Sequence, residues 1–599
     1  LPETNISDRN SIDDIFKWHL EDIFETDEKW DCSYCEAVKK LPLFKPYEGT
    51  LGKSAENLLS FLSFSDETAM LVEKLYVYSN MRLHQDSRSA FYQSQANKAE
   101  MLMVDFNNAL APFVPELTAL PDELLKSFMS EKPALYVYAH YLESVTRKKA
   151  HVLSAAEEAI LAKTGSFSNS AEDIFSMLND ADITFPEIND ESGKPCTLTK
   201  GRYQLFMESP DRSVRKDAFN ALYETYEKLK NTLSAAYYSS VKKDVFYSQV
   251  RKYPSAMASA LDDDNIPPVV YENLISSVHK YLPLMHRYVS IRKKLLGLDE
   301  LHMYDLYAPL VADCDIKITY PEAKDIIVKA LAPMGNDYVS ALKSGLDGGW
   351  IDVYENAGKR GGAYSWGAYG THPYVLLNHN DNLNSVFTLV HEMGHAMHSY
   401  YTWKTQPYVY SGHKIFVAEV ASTCNEALLM EYMLKTSKDK KLRKYLINYF
   451  LEQFKGTFFR QAMFAEFEKK CHELVEAGEP LTCEGMCKMY RTLNEQYFGS
   501  GIVLDSHIDL EWARIPHFYS AFYVYQYSTG YTAAIALSRK ILDEGAPAVE
   551  KYIDFLSNGS SKYSIDLLKG AGVDMTGQQP FEQAMSVFEK LLDECEKDL

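Results

Sequence analysis

The sequence predicts a mostly α-helical, multi-lobed protein with a small β element beside its principal motif. Three observations carry that expectation. Apolar residues recur at three- and four-residue intervals over most of the chain. The 599 residues exceed what one hydrophobic core serves, so two or more lobes are expected. The helical rhythm breaks conspicuously over 358–378, where five glycines precede a short apolar run.

The N-terminal third reads as successive helices over 12–24, 55–80, 89–106 and 155–163, punctuated by Pro42, Pro46, Pro112, Pro115, Pro121 and Pro133. ITFPEI, the turn-rich NDESGK and CTLT predict a hairpin within 183–198. Asp211 has the position of an N-cap, and a helical run follows over 213–253. DDDNIPP at 262–268 ends one element and starts the next with proline at an early helix position. HPYVLLN reads as a short buried strand, and after Asp381 the pattern is helical to the end. This divides the chain into an N-terminal helical lobe (1–110), a helical segment with a short hairpin (111–200) and a larger remainder (201–599).

Composition narrows the functions available. Hydrophobic residues at 46% and charged residues at 24% suit a globular protein that folds without disulfide staples. The formal net charge of -21, with no basic run, argues against a nucleic-acid partner. Nine scattered cysteines do not form a secreted disulfide framework. The Cys32/Cys35 pair reads as structural, and Cys471, Cys483 and Cys487 lack a matching second pair for structural zinc. No run of 18 apolar residues marks a membrane span, and LPETNISDRN has neither a basic nor an apolar leader region, so a cytoplasmic protein is expected. GTLGKS at 49–54 has two residues between its glycines where a phosphate loop needs four.

Chemistry concentrates at 391–395, His-Glu-Met-Gly-His. On a helix, His391 and His395 lie one turn apart on one face and can reach one metal ion. Glu392 points elsewhere and can address a water beside that ion. Chance supplies such a motif roughly 0.03 times in a chain of this His and Glu content. Leu389, Val390, Met393, Ala396 and Met397 surround the helix and predict burial, where unpartnered imidazoles would cost on the order of 1–3 kcal/mol each. His398, one turn beyond the pair, reads as a packing or supporting residue. A catalytic zinc needs three protein ligands and an open position. The next predicted helix, 414–434, offers Glu419 and Glu426 on one face, with the small Ser422 and Thr423 between them to let two helices approach. Either carboxylate fits on spacing alone. Phe416, Val417, Val420 and Ala421 predict that Glu419 is buried and needs a positive partner.

FTLVHEMGHAMHSYY followed by FVAEVASTCNEALLMEY resembles the oligoendopeptidase F branch of the thimet oligopeptidase family. So do ESPDRSVRKDAFNALYETY, GGAYSWGAYGTHPYVLLN, IPHFYSAFYVYQYSTGY and YIDFLSNGSSKYSIDLLKGAGVDM, so the resemblance spans roughly 200–585. HEMGH is also similar to the angiotensin-converting enzyme group, but the surroundings of Glu419 and the aromatic block at 515–531 favour oligoendopeptidase F. The resemblance implies helical lobes around a deep channel that admits short peptides. It implies His391, His395 and Glu419 as ligands of one Zn2+ per chain, Glu392 as general base and Glu426 as a carboxylate supporting a ligand histidine. It further implies that Tyr374, Val375, Leu376 and Leu377 bind the substrate backbone as an added strand. Tyr519, Tyr523, Tyr527 and Tyr531 recur every four residues, which by spacing alone is a core stripe; the resemblance instead makes His517, Tyr523 and Tyr527 binders of substrate and oxyanion. The expected activity is endopeptidase cleavage of short peptides. Release of C-terminal dipeptides is the alternative, and a non-catalytic peptide-binding protein is the reading outside enzymes.

Overall fold

The structure, a computed structural model, describes residues 7–311 and 316–597. Helices dominate and strands are few and short, as expected. The chain forms two compact units interleaved along the sequence. One takes Leu1–Ala150, Asp315–Tyr432 and Leu537–Gly572; the other takes His151–Cys314, Met433–Ala536 and Val573–Leu599. This is a different cut from the contiguous one at 110 and 200.

The first unit is organised on a long helix, α1 (Ala55–Gln85), capped by Ser54, whose hydroxyl accepts the Asn57 N–H at 3.2 Å. Leu58, Phe61, Leu62, Val72, Leu75 and Tyr78 are buried along it. Trp30 packs against this face and donates its indole N–H to the Leu75 carbonyl at 2.9 Å, which satisfies the polar edge of a buried ring. The same core includes Tyr374 and Leu376, so the helical layer and a small sheet share one hydrophobic interior.

That sheet has three strands, β1 (Ile351–Asp352), β2 (Tyr364–Trp366) and β3 (Tyr374–Leu376), in the order β1-β3-β2. β3 pairs parallel with β1 and antiparallel with β2, with Ser365 opposite Val375. Asp352 anchors β1. It is almost fully buried between Arg9 (2.5 Å) and the fully buried Lys359 (2.6 Å). Burial works to raise the Asp352 carboxyl, but the two cations outweigh it and hold it below the usual range.

The expected helix over 12–24 is absent. Only two 3-10 turns form there, Asp14–Phe16 and Leu20–Asp22, with Lys17 between them extended. Hydrogen bonds that a helix would keep to itself go to the 349–357 segment instead: His19 N–H to the Gly349 carbonyl at 2.8 Å, and Val353 N–H to the Phe16 carbonyl at 2.9 Å. The other N-terminal helices start where the pattern put them but overrun their expected ends, α1 and Ala155–Ser168 by five residues and Ala90–Leu110 by four.

Two further helices of this unit carry the principal motif. α2 (Leu383–Thr405) begins at Asn382, whose side chain accepts the Ser385 N–H at 2.9 Å. α3 (Ile415–Thr436) follows a short connection.

In the second unit the expected hairpin forms, with Glu187–Asn189 antiparallel to Pro195–Thr197. Asp211 caps Arg212–Glu227 and accepts the Ser213 N–H at 2.8 Å. Lys230–Val250 and Pro268–Leu295 follow, the latter starting at the expected proline. The aromatic block departs from expectation. Pro516 opens only a 3-10 turn, Pro516–Tyr519, and the α-helix starts at Tyr525. Between them Phe522 takes φ = 54°, a conformation costly for a bulky side chain. Tyr519 and Tyr523 therefore do not continue the helical stripe of Tyr527 and Tyr531. Phe522 is held by a buried acceptor: its N–H donates to Glu468 Oε1 at 2.7 Å.

None of the eight described cysteines, the Cys32/Cys35 pair included, is in a disulfide. No described helix is long and apolar enough to cross a membrane.

Candidate metal centre

The site begins with the contact between α2 and α3. Gly394, the fourth residue of HEMGH, lies directly against the α3 backbone. A Cβ built on it would be 2.5 Å from Ser422 Cα and 2.7 Å from the Ala421 carbonyl oxygen. The sequence reading assigned close approach to Ser422 and Thr423; Gly394 is the residue on the facing helix that makes it possible.

This approach brings the two histidines of α2 against the carboxylates of α3. His391 and His395 have ring centroids 4.9 Å apart. Their Nε2 atoms lie 3.4 and 3.3 Å from the same oxygen, Glu419 Oε2. Ser422 Oγ donates to that oxygen as well, at 2.9 Å. On the far side of the His391 ring, Nδ1 meets Glu426 Oε1 at 2.5 Å. The two acids left open by spacing are thus separated by geometry: Glu419 faces the point where both imidazoles converge, and Glu426 faces away from it. Binding of Nδ1 to a carboxylate fixes the ring with Nε2 toward the centre. Among the described residues, the ligand atoms of His391, His395 and Glu419 form a group within 4.8 Å of one another that could hold a metal ion.

The electrostatics suit a cation. Burial works against charge on His391, but hydrogen bonds with Glu419 and Glu426 outweigh it and push its pKa up to about 10. Burial likewise works to raise Glu419, but hydrogen bonds from His391 and His395 hold its carboxyl far below the usual range. A donor set of two imidazoles and one carboxylate is a known zinc combination with room for a fourth position.

Glu392 is buried beside the pair. Burial raises its carboxyl, and Glu419 adds to that, against the two histidines and the Ser365 backbone N–H. A carboxylate with a raised pKa beside a potential metal centre is suited to taking up a proton and releasing it. His398 is also buried, stacked on His413 at 4.3 Å, and contributes packing behind the site.

The site opens into a cavity of about 490 Å³, lined by the triad, Glu392, His413, Trp403, the 363–367 segment and Glu73 of α1. Three of its lining side chains are carboxylates, and among the described residues no lysine or arginine lines it. Sequence spacing gave no sign of Glu73, which comes from a helix more than 300 residues away.

The expected substrate strand needs correction. Tyr374, Val375 and Leu376 form the central strand β3, hydrogen-bonded on both sides, and with Leu377 they are buried. Val375 and Leu377 donate their N–H groups to Trp350 and Asp352. No backbone there is left for a peptide. The strand whose outer edge lies free of the sheet and whose residues line the cavity is β2.

His517, Tyr523 and Tyr527 belong to the second unit and cluster there. The His517 and Tyr523 rings stack at 5.9 Å, and Tyr527 stands edge-on to both. The Tyr527 hydroxyl lies 3.4 Å from His517 Nε2.

Comparison with known proteins identifies the family. The model of peptidase family M3 matches residues 205–587, and that of oligopeptidase F matches 116–185. Oligopeptidase PepF of Bacillus subtilis (strain 168) is 51% identical over 593 residues, covering 99% of this chain and 88% of that protein. An oligoendopeptidase F homolog of Lactococcus lactis subsp. lactis (strain IL1403) is 42% identical, with 98% of each chain covered. The crystal structure of oligoendopeptidase-F from Enterococcus faecium superposes with a TM-score of 0.75 at 39% identity, covering 95% of this chain and 99% of that one. Similarity of this extent means that the chain belongs to peptidase family M3, among the metallo-endopeptidases of its oligoendopeptidase F branch.

Proposed function

We propose that the protein is a zinc-dependent endopeptidase that hydrolyses internal bonds of short peptides. The observation that carries this is the convergence of His391, His395 and Glu419 on one point, with Glu392 buried beside it in the same cavity. His391, His395 and Glu419 would hold one Zn2+. When bound, the ion supplies Lewis acidity at the peptide carbonyl and makes a neighbouring water more acidic. Glu392 takes the proton of the attacking water and delivers it to the leaving amine as the C–N bond breaks. Its burial favours the protonated form midway, and the Ser365 N–H, which favours the ionised form, restores the base. Glu426 keeps the His391 ring in the ligand orientation. The open edge of β2 gives the substrate backbone a strand to pair with.

Release of C-terminal dipeptides needs a cation to hold the substrate carboxylate, and among the described residues no lysine or arginine lines the cavity to supply it. His517, Tyr523 and Tyr527 are proposed as donors to the substrate and oxyanion on the strength of the resemblance and their mutual contacts. Tyr523→Phe and Tyr527→Phe should then lower kcat more than they raise KM, because lost transition-state donors cost about 3–4 kcal/mol each.

The test combines metal analysis with a quenched-peptide assay. The protein should carry about one zinc per chain. Glu392→Gln should keep the zinc and lose peptide cleavage. A C-terminally amidated peptide should still be cut internally. Full activity in Glu392→Gln would reject the assigned base; products that are exclusively C-terminal dipeptides would reject the endopeptidase.

A further inference from the structure

Glu73 is a cavity-lining carboxylate that the hydrolytic reaction leaves without a task. It projects from α1 into the cavity that holds the metal triad. Its Oε2 is buried with no hydrogen-bond partner among the described residues. Burial pushes the carboxyl up to about 7, over the opposing pull of the Tyr408 hydroxyl, the Tyr369 N–H and Lys74. Lys74 is the weakest of these influences, and its Nζ is directed to the Gly370 turn, 3.4 Å from where a Cβ on that glycine would lie. An unmatched buried carboxylate is costly unless a cation arrives to pair with it.

Its surroundings relate it to the peptide path. Tyr76, three residues on and therefore on a neighbouring face of α1, packs edge-on to Trp366 of β2 at 5.9 Å. His84 on the same helix meets the Tyr364 hydroxyl of β2 at 2.7 Å. α1 is thus fastened along β2, whose outer edge is the one open to an added strand. Side chains of a peptide paired there alternate between two directions. The aromatic pair Tyr369 and Tyr408, edge to face at 5.6 Å, borders the carboxyl.

We propose that Glu73 is a specificity-determining residue that pairs with a cationic nitrogen of the bound peptide, either a lysine or arginine side chain or the free α-amino group. The proposal deepens the peptidase reading above and rests on it for the identity of the ligand. The Glu73 carboxyl lines the cavity and accepts the incoming N–H, and among the described residues no lysine or arginine lines that cavity to compete for it.

The experiment uses quenched peptides in which lysine is walked through the positions on either side of the scissile bond. Each is paired with norleucine at the same place, and each is made with a free and an acetylated N-terminus. kcat/KM is measured for wild type, Glu73→Gln and Glu73→Asp. Wild type should favour one cationic placement by about tenfold or more, the worth of a charge-assisted hydrogen bond. Glu73→Gln should bring that ratio close to one, and Glu73→Asp should retain part of it. Because the ratio compares two peptides on the same protein, a general loss of activity or of folded protein cancels. Loss of preference on acetylation assigns the α-amino group; preference for lysine over norleucine assigns a side chain. A ratio near one throughout in wild type, or a ratio that survives Glu73→Gln, overturns the proposal. The same peptide pairs bound to Glu392→Gln and to the Glu392→Gln/Glu73→Gln double variant, read as Kd by fluorescence anisotropy, keep this outcome distinct from failure of the peptidase reading. A cation preference in binding that disappears with Glu73→Gln supports Glu73 even if Glu392 proves not to be the base.

Discussion

Gly394→Ala gives the sharpest test of how the two site helices are joined. The added methyl would sit 2.5 Å from Ser422 Cα, where ordinary contact begins at 3.4 Å, a shortfall of 0.9 Å. The other near atoms are the Ala421 carbonyl oxygen at 2.7 Å and the Ser422 nitrogen at 2.8 Å. All three are backbone, so no side chain can swing aside, and α2 must move from α3 by roughly that amount. Overpacking of this kind costs about 1–3 kcal/mol. The better helix propensity of alanine returns up to about 1 kcal/mol. Net stability should therefore change modestly and the protein should fold. Function should change far more, because His391 and His395 stand on one side of the displaced contact and Glu419 on the other. A displacement near 1 Å at a site that needs three converging ligands should cost on the order of 100-fold in kcat/KM. Retention of zinc against a chelator should fall in parallel. The assay is peptide hydrolysis with metal content measured by mass spectrometry before and after dialysis against the chelator. A folded Gly394→Ala protein with wild-type zinc retention and wild-type kcat/KM would refute the claim that the tight α2–α3 contact assembles the ligand set.

Three further outcomes follow from single side chains. Glu426→Gln should lower metal affinity by about 10- to 100-fold while leaving the protein folded, since it removes the carboxylate that orients His391; competition with a zinc-binding dye reads it directly. Asp352→Ala should destabilise the first unit by about 3–5 kcal/mol, because it strands the buried Lys359 beside Arg9; the midpoint of denaturant unfolding reports it, and an unchanged midpoint would contradict the assigned pairing. Glu468 should add a pH dependence to the stability of the second unit. Burial pushes its carboxyl up to about 8, although His472 and the Phe522 N–H favour charge. The folded protein keeps this proton between about pH 4.5 and 8 while the unfolded chain has lost it. Stability should thus be full below that window and fall across it, by at most about 1.4 kcal/mol per pH unit. Glu468→Gln should flatten this slope in thermal melts taken from pH 5 to 9.

The metal motif was legible because its information is local. His391, Glu392 and His395 are related by helical spacing, and any helix over 391–395 puts both imidazoles on one face. Glu419 needed a second helix, and its apolar neighbours overstated its burial, since the side chain is 47% exposed. What spacing could not decide was which of Glu419 and Glu426 faces the imidazole Nε2 atoms, since both lie on one face of α3. Strand pairing was illegible for a related reason. The run at 374–377 correctly suggested a buried strand, but its central position depends on partners at 351–352 and 364–366. The broken aromatic stripe has the same origin. Four-residue spacing of tyrosines is a sound helical signal until Glu468, 54 residues earlier, captures the Phe522 N–H in a left-handed turn. The N-terminal segment 12–24 lost its helix in this way too, to hydrogen bonds with residues beyond 349.

The small sheet explains why so helical a protein interrupts itself at 358–378. A helix satisfies its own backbone and offers a peptide only side chains; a strand edge offers a row of N–H and carbonyl groups whatever the peptide sequence. β2 brings a short edge to the cavity, and the Ser365 N–H there faces Glu392, so in the proposed reading one strand both borders the peptide path and tunes the base. Such an edge must be rigid to act this way, and three residues alone cannot be. β3 holds it by pairing, β1 closes the sheet on the other side, and the buried Asp352 locks β1 to Arg9 and Lys359. α1 then packs on one face of β2 through Tyr76 and His84. Removing that contact tests the scheme away from the chemistry. His84→Ala should leave zinc content intact, since no ligand touches it, yet raise KM by loosening the strand that receives the peptide backbone. An unchanged KM would mean that β2 is held adequately by β3 alone.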